Sequence, residues 1–160
     1  MAPFGLAGRS TAPVQVESGG SLSNAIRVPV TPTAVAILAV VNQDGTANSQ
    51  DRPAAPGSVL TLYVAGLGPS DPPTADGTIN GAGSAAPKAS VTVQINGWLS
   101  GDILYYGPAP GQPAGIAQIN FRIPESIPGI GAWPAKQYFL VVGIAEPLPG
   151  DYDTAQLSIR

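Results

Sequence analysis

The residue types that do most protein chemistry are scarce in this chain. Its 160 residues include no histidine and no cysteine, so the commonest general base and the usual thiolate metal ligand are missing. Hydrolases of the Ser-His-Asp type and zinc enzymes are therefore disfavoured. Carboxylates remain at Asp71, Asp76 and Asp102, but no two have a spacing that indicates the paired acid and base of a glycoside hydrolase. We therefore predict that the protein is not an enzyme.

Aromatic residues are the best candidates for ligand binding. Exposed rings on one surface could form a platform for sugar rings, which would make the protein a carbohydrate-binding module. The alternative is that the rings pack in the core or at the edges of a small β domain, which we regard as the more common arrangement. The possible ligand-binding residues are Trp98, Tyr105, Tyr106 and Trp133, together with Tyr138.

The segment NQDGTANSQDRPAAPG, residues 42–57, is rich in Asn, Asp and Ser. Asp44, Asn48 and Asp51 offer oxygen ligands for calcium, although their spacing does not match an EF-hand loop. The pair Asp44-Gly45 is equally typical of a tight turn, because glycine tolerates positive φ and aspartate bonds to nearby backbone. We expect no cofactor, with calcium as the alternative.

The segment from Ile103 to Pro124 contains two apolar runs joined by a loop rich in Pro and Gly. Its glycines are turn residues, since no GK[ST] motif of a phosphate loop follows them. In the second run, apolar and polar residues alternate, which predicts a strand with one buried face. Gln118 and Asn120 lie on the polar face, and we expect them to hydrogen-bond to the backbone of the proline-rich loop, with ligand contact as the alternative.

Composition limits the partners. Charged residues make up only 11% of the chain and the net charge is −3, and the basic residues are too scattered to form a stripe for nucleic acid. The longest apolar run, residues 34–41, is far shorter than the ~20 residues that span a bilayer. The first residues do not resemble a signal peptide, so a signal for export would lie upstream.

Strand patterns recur through residues 34–160, and no segment offers a helical stripe that could cover the apolar strand faces. The 20 glycines and 18 prolines suit short strands joined by tight turns. We predict an all-β fold, an immunoglobulin-like Greek-key β-sandwich of about seven strands, preceded by an extra N-terminal strand segment over residues 1–33. The predicted strands cover residues 34–41, 58–65, 90–95, 103–106, 118–123, 138–144 and 154–159.

Residues 1–33 carry two short strand patterns, at 14–17 and 25–30, and two strands do not make a domain. The order of features in this segment is also similar to that at the C-terminal end, which suggests a tandem repeat, with chance similarity as the alternative. The segment is then the tail of a preceding repeat, or it is donated to a neighbouring copy. The residues predicted to mediate this assembly are Val14, Val16, Ile26, Val28 and Val30.

Several short motifs recur in a fixed order over residues 34–160. They are Asn42-Gln43-Asp44-Gly45-Thr46, Pro56-Gly57-Ser58, Gly66-Leu67-Gly68, Tyr106-Gly107, Pro110-Gly111, Gly115, Gln118-Ile119-Asn120 and Ile123-Pro124. In these motifs the chain resembles a domain that is repeated near the C-termini of large secreted proteins of Solibacter-type soil acidobacteria. The resemblance implies an immunoglobulin-like sandwich on exported proteins, with no established activity.

Together these observations predict a non-catalytic structural or adhesive module, extracellular or on the cell surface. It would assemble through strand and sandwich packing with adjacent repeats or copies of itself, in the strongest form as a filament subunit. The alternative is a carbohydrate-binding module that binds polysaccharide. Nucleic acid and a membrane span are not expected.

Overall fold

The computed structural model of the chain describes residues 2–97, 99–146 and 151–160. About half of the chain, 49%, is strand, and the helical content of the described residues is one 3-10 turn, Phe4–Leu6. The prediction of an all-β protein is therefore confirmed. No helix in this part of the chain is long and apolar enough to cross a bilayer.

The strands follow one another along the chain with short connections. In order they are β1 (Thr11–Val14), β2 (Glu17–Ser18), β3 (Ser21–Leu22), β4 (Ile26–Pro29), β5 (Ala36–Val41), β6 (Val59–Ala65), β7 (Ser70–Asp71), β8 (Ala86–Pro87), β9 (Ser90–Ile95), β10 (Leu99–Ser100), β11 (Asp102–Pro108), β12 (Ile116–Arg122), β13 (Lys136–Glu146) and β14 (Tyr152–Ile159). The strands predicted over residues 34–160 recur here with the same or slightly shifted ends. The two-residue strands β2, β3, β7, β8 and β10 are additional.

Two four-stranded antiparallel sheets contain most of these strands. One sheet has the order β11-β12-β6-β5, and the other has the order β10-β9-β13-β14. The apolar run at residues 138–144 lies within β13, which has neighbours on both sides, so its prediction as a central strand is confirmed. Three smaller two-stranded ladders, β1-β4, β2-β3 and β7-β8, complete the described strands.

The core lies between the two large sheets. Ile119, Phe121 and Ile123 are fully buried, each 0% exposed, as the alternation of their segment predicts. They belong to one hydrophobic cluster with side chains of both sheets, including Leu62 of β6 and Leu140 of β13. A single core shared by two sheets is consistent with a β-sandwich. Each such buried side chain contributes about 1.5–3 kcal/mol relative to an exposed one.

The chain changes sheets between β10 and β11, at Gly101. A Cβ on Gly101 would overlap the carbonyl oxygen of Arg122 and lie 2.9 Å from the Phe121 ring. Glycine therefore lets the backbone cross directly over the core residue Phe121.

Both outer edges of the β11-β12-β6-β5 sheet are distorted. β5 and β11 each contain a register shift of the bulge type, between Ile37 and Ala39 and between Ile103 and Tyr105. The amide of Ile37 donates to the carboxylate of Asp153 at 2.8 Å, so a side chain of β14 satisfies the edge of β5. Bulges and covered donors are how natural sheets prevent edge-to-edge association.

The N-terminal segment forms its own antiparallel pair, β1 with β4. The strand pattern predicted at 14–17 is displaced, because β1 starts at Thr11 and already ends at Val14. The amides of Phe4 and Gly5 donate to the carboxylate of Asp76, and the amide of Ala34 donates to the Gly66 carbonyl at 2.8 Å. The pair is thus attached to the sandwich at its base and is not inserted into either large sheet.

Candidate functional site

One face of the β1-β4 pair is apolar. Val14 lies opposite Ile26, and Ala12 lies opposite Val28, and directly opposite residues in an antiparallel pair point to the same face. We call this surface the hairpin face. It consists of Ala12, Val14, Val16, Ile26, Val28 and Val30, and thus contains all five residues predicted to mediate assembly.

The hairpin face is covered only near its base. Ala12 is buried and Val30 is half-buried, which places them close to the sandwich. The other four side chains are open to solvent, with exposures of 50% for Val14, 65% for Val16, 61% for Ile26 and 37% for Val28. Several adjacent apolar side chains left exposed on one face are typical of an interaction surface.

The outer edges of the β1-β4 pair have fewer free backbone donors than ordinary strand edges, because each contains a proline. The amide of Val30 donates to the Ser10 carbonyl at 3.0 Å, so Ser10 and Val30 form a hydrogen-bonded pair. Hydrogen-bonded pairs alternate with non-bonded ones along an antiparallel ladder, so the pairs that contain Pro13 and Pro29 are non-bonded. The backbone nitrogens of these two prolines therefore point away from the partner strand. Proline has no N–H, so it removes one outward donor from each edge.

The described aromatic residues among those predicted to bind ligands do not share one exposed surface. Trp133 is buried, donates its ring N–H to the Pro124 carbonyl at 2.7 Å, and packs edge-on against Tyr138 with ring centroids 4.9 Å apart. Tyr106 is half-buried. Tyr105 is the exposed member among the described aromatic residues of that prediction, whereas Trp98 lies outside the described residues.

The Tyr106 hydroxyl is part of a structural contact. It donates to the Ala89 carbonyl at 2.9 Å, which connects β11 to the segment before β9. Burial disfavours the charged phenolate and raises the pKa of Tyr106 to about 12. This raised pKa therefore reflects packing at the sandwich edge.

The proline-rich loop before β12 is held by a residue that the sequence did not single out. Gln118 and Asn120 do not bond to this loop; the side chain of Gln118 donates to that of Asn120 at 3.0 Å. The buried Asn80 instead donates from its side-chain nitrogen to the Ile116 carbonyl at 3.0 Å. Asn80 lies in a stretch of small residues without periodicity, so no sequence pattern marks its role.

The polar segment over residues 42–57 is a structural loop fixed to β14. Asn48 donates to the side chain of Asn42 and to the Ser158 carbonyl, and accepts from the Ser158 amide at 2.8 Å. The buried Asn42 in turn donates to the Arg52 carbonyl at 2.8 Å. The motif from Asn42 to Thr46 thus closes a turn, and Asn48 makes the side-chain contacts that attach the loop to β14.

Two of the three residues considered as calcium ligands, Asp44 and Asn48, use a side-chain oxygen in hydrogen bonds. Asp44 accepts hydrogen bonds from the amide and the hydroxyl of Thr46, and these bonds hold the pKa of Asp44 below its usual value. The side-chain oxygen of Asn48 accepts from Ser158. Among the described residues, no group of three or more acidic, His or Cys side chains could hold a metal ion.

Comparison of the chain with protein-family models, curated proteins and solved structures gives no match.

Proposed function

We propose that this chain is a non-catalytic structural or adhesive module that acts outside the cell or on its surface and assembles with copies of itself. The observation that carries the proposal is the hairpin face, where Val14, Val16 and Ile26 are each at least half exposed. Covering such side chains is favourable by about 25 cal/mol per Å² of apolar surface removed from water.

Charge favours the sandwich of a second copy as the partner of the hairpin face. Residues 1–33 contain Arg9, Arg27 and Glu17, a net charge of +1, whereas the remaining residues contain five basic and nine acidic side chains, a net charge of −4. Opposite charges favour contact between unlike parts of two copies. A contact between two different surfaces can repeat from copy to copy, and it then produces an open array or filament.

Packing through the face is favoured over donation of a strand. Pro13 and Pro29 each remove a donor from an outer edge of the β1-β4 pair. Three edge strands of the sandwich offer few positions for an added strand, because β5 and β11 are bulged and β10 has only two residues. The fourth edge strand, β14, already bonds at Ser158 to Asn48 and Ala54. A neighbouring copy would therefore cover the apolar side chains without extending a sheet.

We also propose an immunoglobulin-like Greek key for the sandwich. If the eight strands of the two large sheets are lettered in chain order as A, B, C, C′, D, E, F and G, the sheet orders become D-E-B-A and C′-C-F-G. These are the groupings of immunoglobulin-like domains. Tyr138, near the start of strand F, donates its hydroxyl to the Pro134 carbonyl at 2.7 Å, as in the tyrosine corner of such domains. This topology supports the resemblance to repeat domains of exported proteins.

Sedimentation equilibrium over a range of protein concentrations tests the assembly. We expect the wild-type chain to self-associate, and the double variant Val14→Ser/Ile26→Ser to weaken association at least tenfold. The matched control is Leu38→Ser/Leu104→Ser, which changes two exposed aliphatic residues at the sheet edges and should leave association unchanged. Electron microscopy of concentrated wild-type protein should show ordered polymers.

Two results would contradict the proposal. One is a wild-type chain that stays monomeric at every concentration. The other is equal association of the hairpin variant and the wild type. Because Val14 and Ile26 are exposed, the double variant should unfold at the same urea concentration as the wild type. This control separates a loss of association from a loss of folding.

A further inference from the structure

An open cleft of about 490 Å³ lies against the outer face of the β10-β9-β13-β14 sheet. Its size is within the range of small-molecule sites, about 300–1,000 Å³. Neither the predicted aromatic residues nor the hairpin face belongs to it. The lining residues are Asn48, Ser49, Gln50, Asp51, Gln137, Gln156 and Ser158.

The floor of the cleft is formed by β13 and β14. Gln137 donates its side-chain N–H to the side-chain oxygen of Gln156 at 3.2 Å. Phe139 lies directly opposite Gln156 in the β13-β14 register, so the two side chains point to the same face. Phe139 is 61% exposed and is not itself a lining residue of the cleft. It lies on the same face of the sheet, beside Gln156 and two residues after Gln137, where it offers an apolar ring next to the cleft.

The wall of the cleft is the loop that is fixed to β14 through Asn48. Beyond Asn48, the backbones of Ser49 and Arg52 bond to each other in both directions at 3.2 Å, which closes a tight turn. Gln50 and Asp51 form the tip of that turn. The backbone of Ala54 then bonds to β14 on both sides, from its amide to the Ser158 carbonyl and from the Arg160 amide to its carbonyl. Because these bonds order the loop before a ligand binds, binding loses less conformational entropy.

The chemistry of the lining selects a class of ligand. Amide, hydroxyl and carboxylate groups present both donors and acceptors, which match the hydroxyl groups of a sugar. None of the lining residues is basic, so phosphate, sulfate and acidic sugars lack a partner charge. Phe139 offers a ring on which the C–H face of a sugar can pack.

We propose that this cleft binds a neutral oligosaccharide, with Phe139 as the stacking residue and Gln50, Asp51, Gln137 and Gln156 as hydrogen-bonding residues. The site differs from the aromatic platform predicted from the sequence, because its lining is polar and a single exposed ring, Phe139, lies next to it. It is also independent of self-assembly, since the hairpin face contributes no lining residue.

The test uses the full chain with the Val14→Ser/Ile26→Ser substitutions, so that self-association does not obscure ligand binding. A glycan array identifies a ligand, and titration of a ¹⁵N-labelled sample with uncharged hexasaccharides of glucose, xylose, mannose and N-acetylglucosamine measures its affinity. We expect at least one of these to bind and to shift the amide signals of Gln50, Asp51, Phe139 and Gln156. Phe139→Ala should weaken binding at least tenfold, and Gln156→Ala several-fold.

The matched control is Tyr105→Ala, which removes an exposed ring of the other large sheet and should leave the affinity unchanged. Binding that survives Phe139→Ala, or signal shifts centred on Tyr105, would overturn the assignment of the site. Binding of anionic glycans alone, or of no glycan on the array, would overturn the class of ligand. Phe139 and Gln156 are exposed, and an unchanged urea midpoint for each variant separates lost binding from lost folding.

Discussion

The Tyr138 hydroxyl donates a 2.7 Å hydrogen bond to the carbonyl oxygen of Pro134, four residues upstream. The ring of Tyr138 meanwhile packs edge-on against Trp133 and is almost fully buried. The bond satisfies a polar atom inside an apolar cluster and fixes the entry of the chain into β13. Both sheets depend on this entry point, because β13 is central in one sheet and its side chains face the other.

Removal of this hydroxyl should destabilise the fold without changing its shape. In Tyr138→Phe the ring remains, while the Pro134 carbonyl loses its partner, which costs about 1–2 kcal/mol. Urea unfolding followed by tryptophan fluorescence measures the difference. Tyr105→Phe is the control, because its hydroxyl bonds to the Pro108 carbonyl at an exposed site, and its cost should be much smaller. Equal midpoints for the two variants would contradict this role of Tyr138.

The crossing between the sheets should not tolerate a side chain at Gly101. In Gly101→Ala the added Cβ overlaps the Arg122 carbonyl and presses on the Phe121 ring, so β12 must shift, at a cost of about 2 kcal/mol or more. The control is Gly81→Ala, where a Cβ meets nothing within 4 Å and the change should be within about 0.5 kcal/mol. The measurement is the thermal unfolding midpoint of each variant. Equal midpoints for Gly101→Ala and Gly81→Ala would exclude a tight crossing at Gly101.

Alkaline pH should destabilise the protein through Tyr106. Its pKa is raised from the usual value near 10 to about 12 by burial, so between these values the unfolded chain loses a proton that the folded chain keeps. Stability is therefore fully present below pH 10 and falls as the pH rises towards 12. Urea unfolding at pH 8 to 12 should show this fall, and Tyr106→Phe should reduce its slope. An unchanged slope in the variant would show that another group causes the fall.

The loop over residues 42–57 should loosen when Asn48 is removed. Asn48→Ala leaves the Ser158 amide and the Asn42 side-chain oxygen without this partner, at a cost of about 2 kcal/mol. The Ser158 carbonyl loses one of its two donors and keeps the Ala54 amide. Hydrogen exchange of the Ser158 amide should become faster than that of other β14 amides. A general loss of stability would instead speed exchange throughout the strand. Asn24→Ala, at an exposed position in the N-terminal segment, is the control. Slow exchange at Ser158 in the Asn48 variant would contradict this role.

Local pattern alone determined the class of the fold. Alternation along β12 marks the inward side chains Ile119 and Phe121 correctly, because a strand exposes successive residues to opposite faces whatever its partners are. No segment of the sequence has the apolar stripe of a helix, so only a second sheet could cover the apolar faces of the strands. The apolar positions of the N-terminal segment were found in the same way, since Val14, Ile26 and Val28 recur at the spacing of a strand face.

Contacts between distant residues were decided only by the tertiary structure. The burial of Trp133 depends on its contacts with Tyr138 and with the loop before β13. The sequence around a single tryptophan does not show whether its ring is buried or exposed. Asn80, Asn48 and Gly101 act on backbone atoms at least 20 residues away, so no spacing in the sequence reports their roles. The cleft beside Phe139 exists because a loop that precedes β6 is bonded to β14, the last strand. A sequence pattern records neighbours along the chain, whereas a binding surface is formed by neighbours in space.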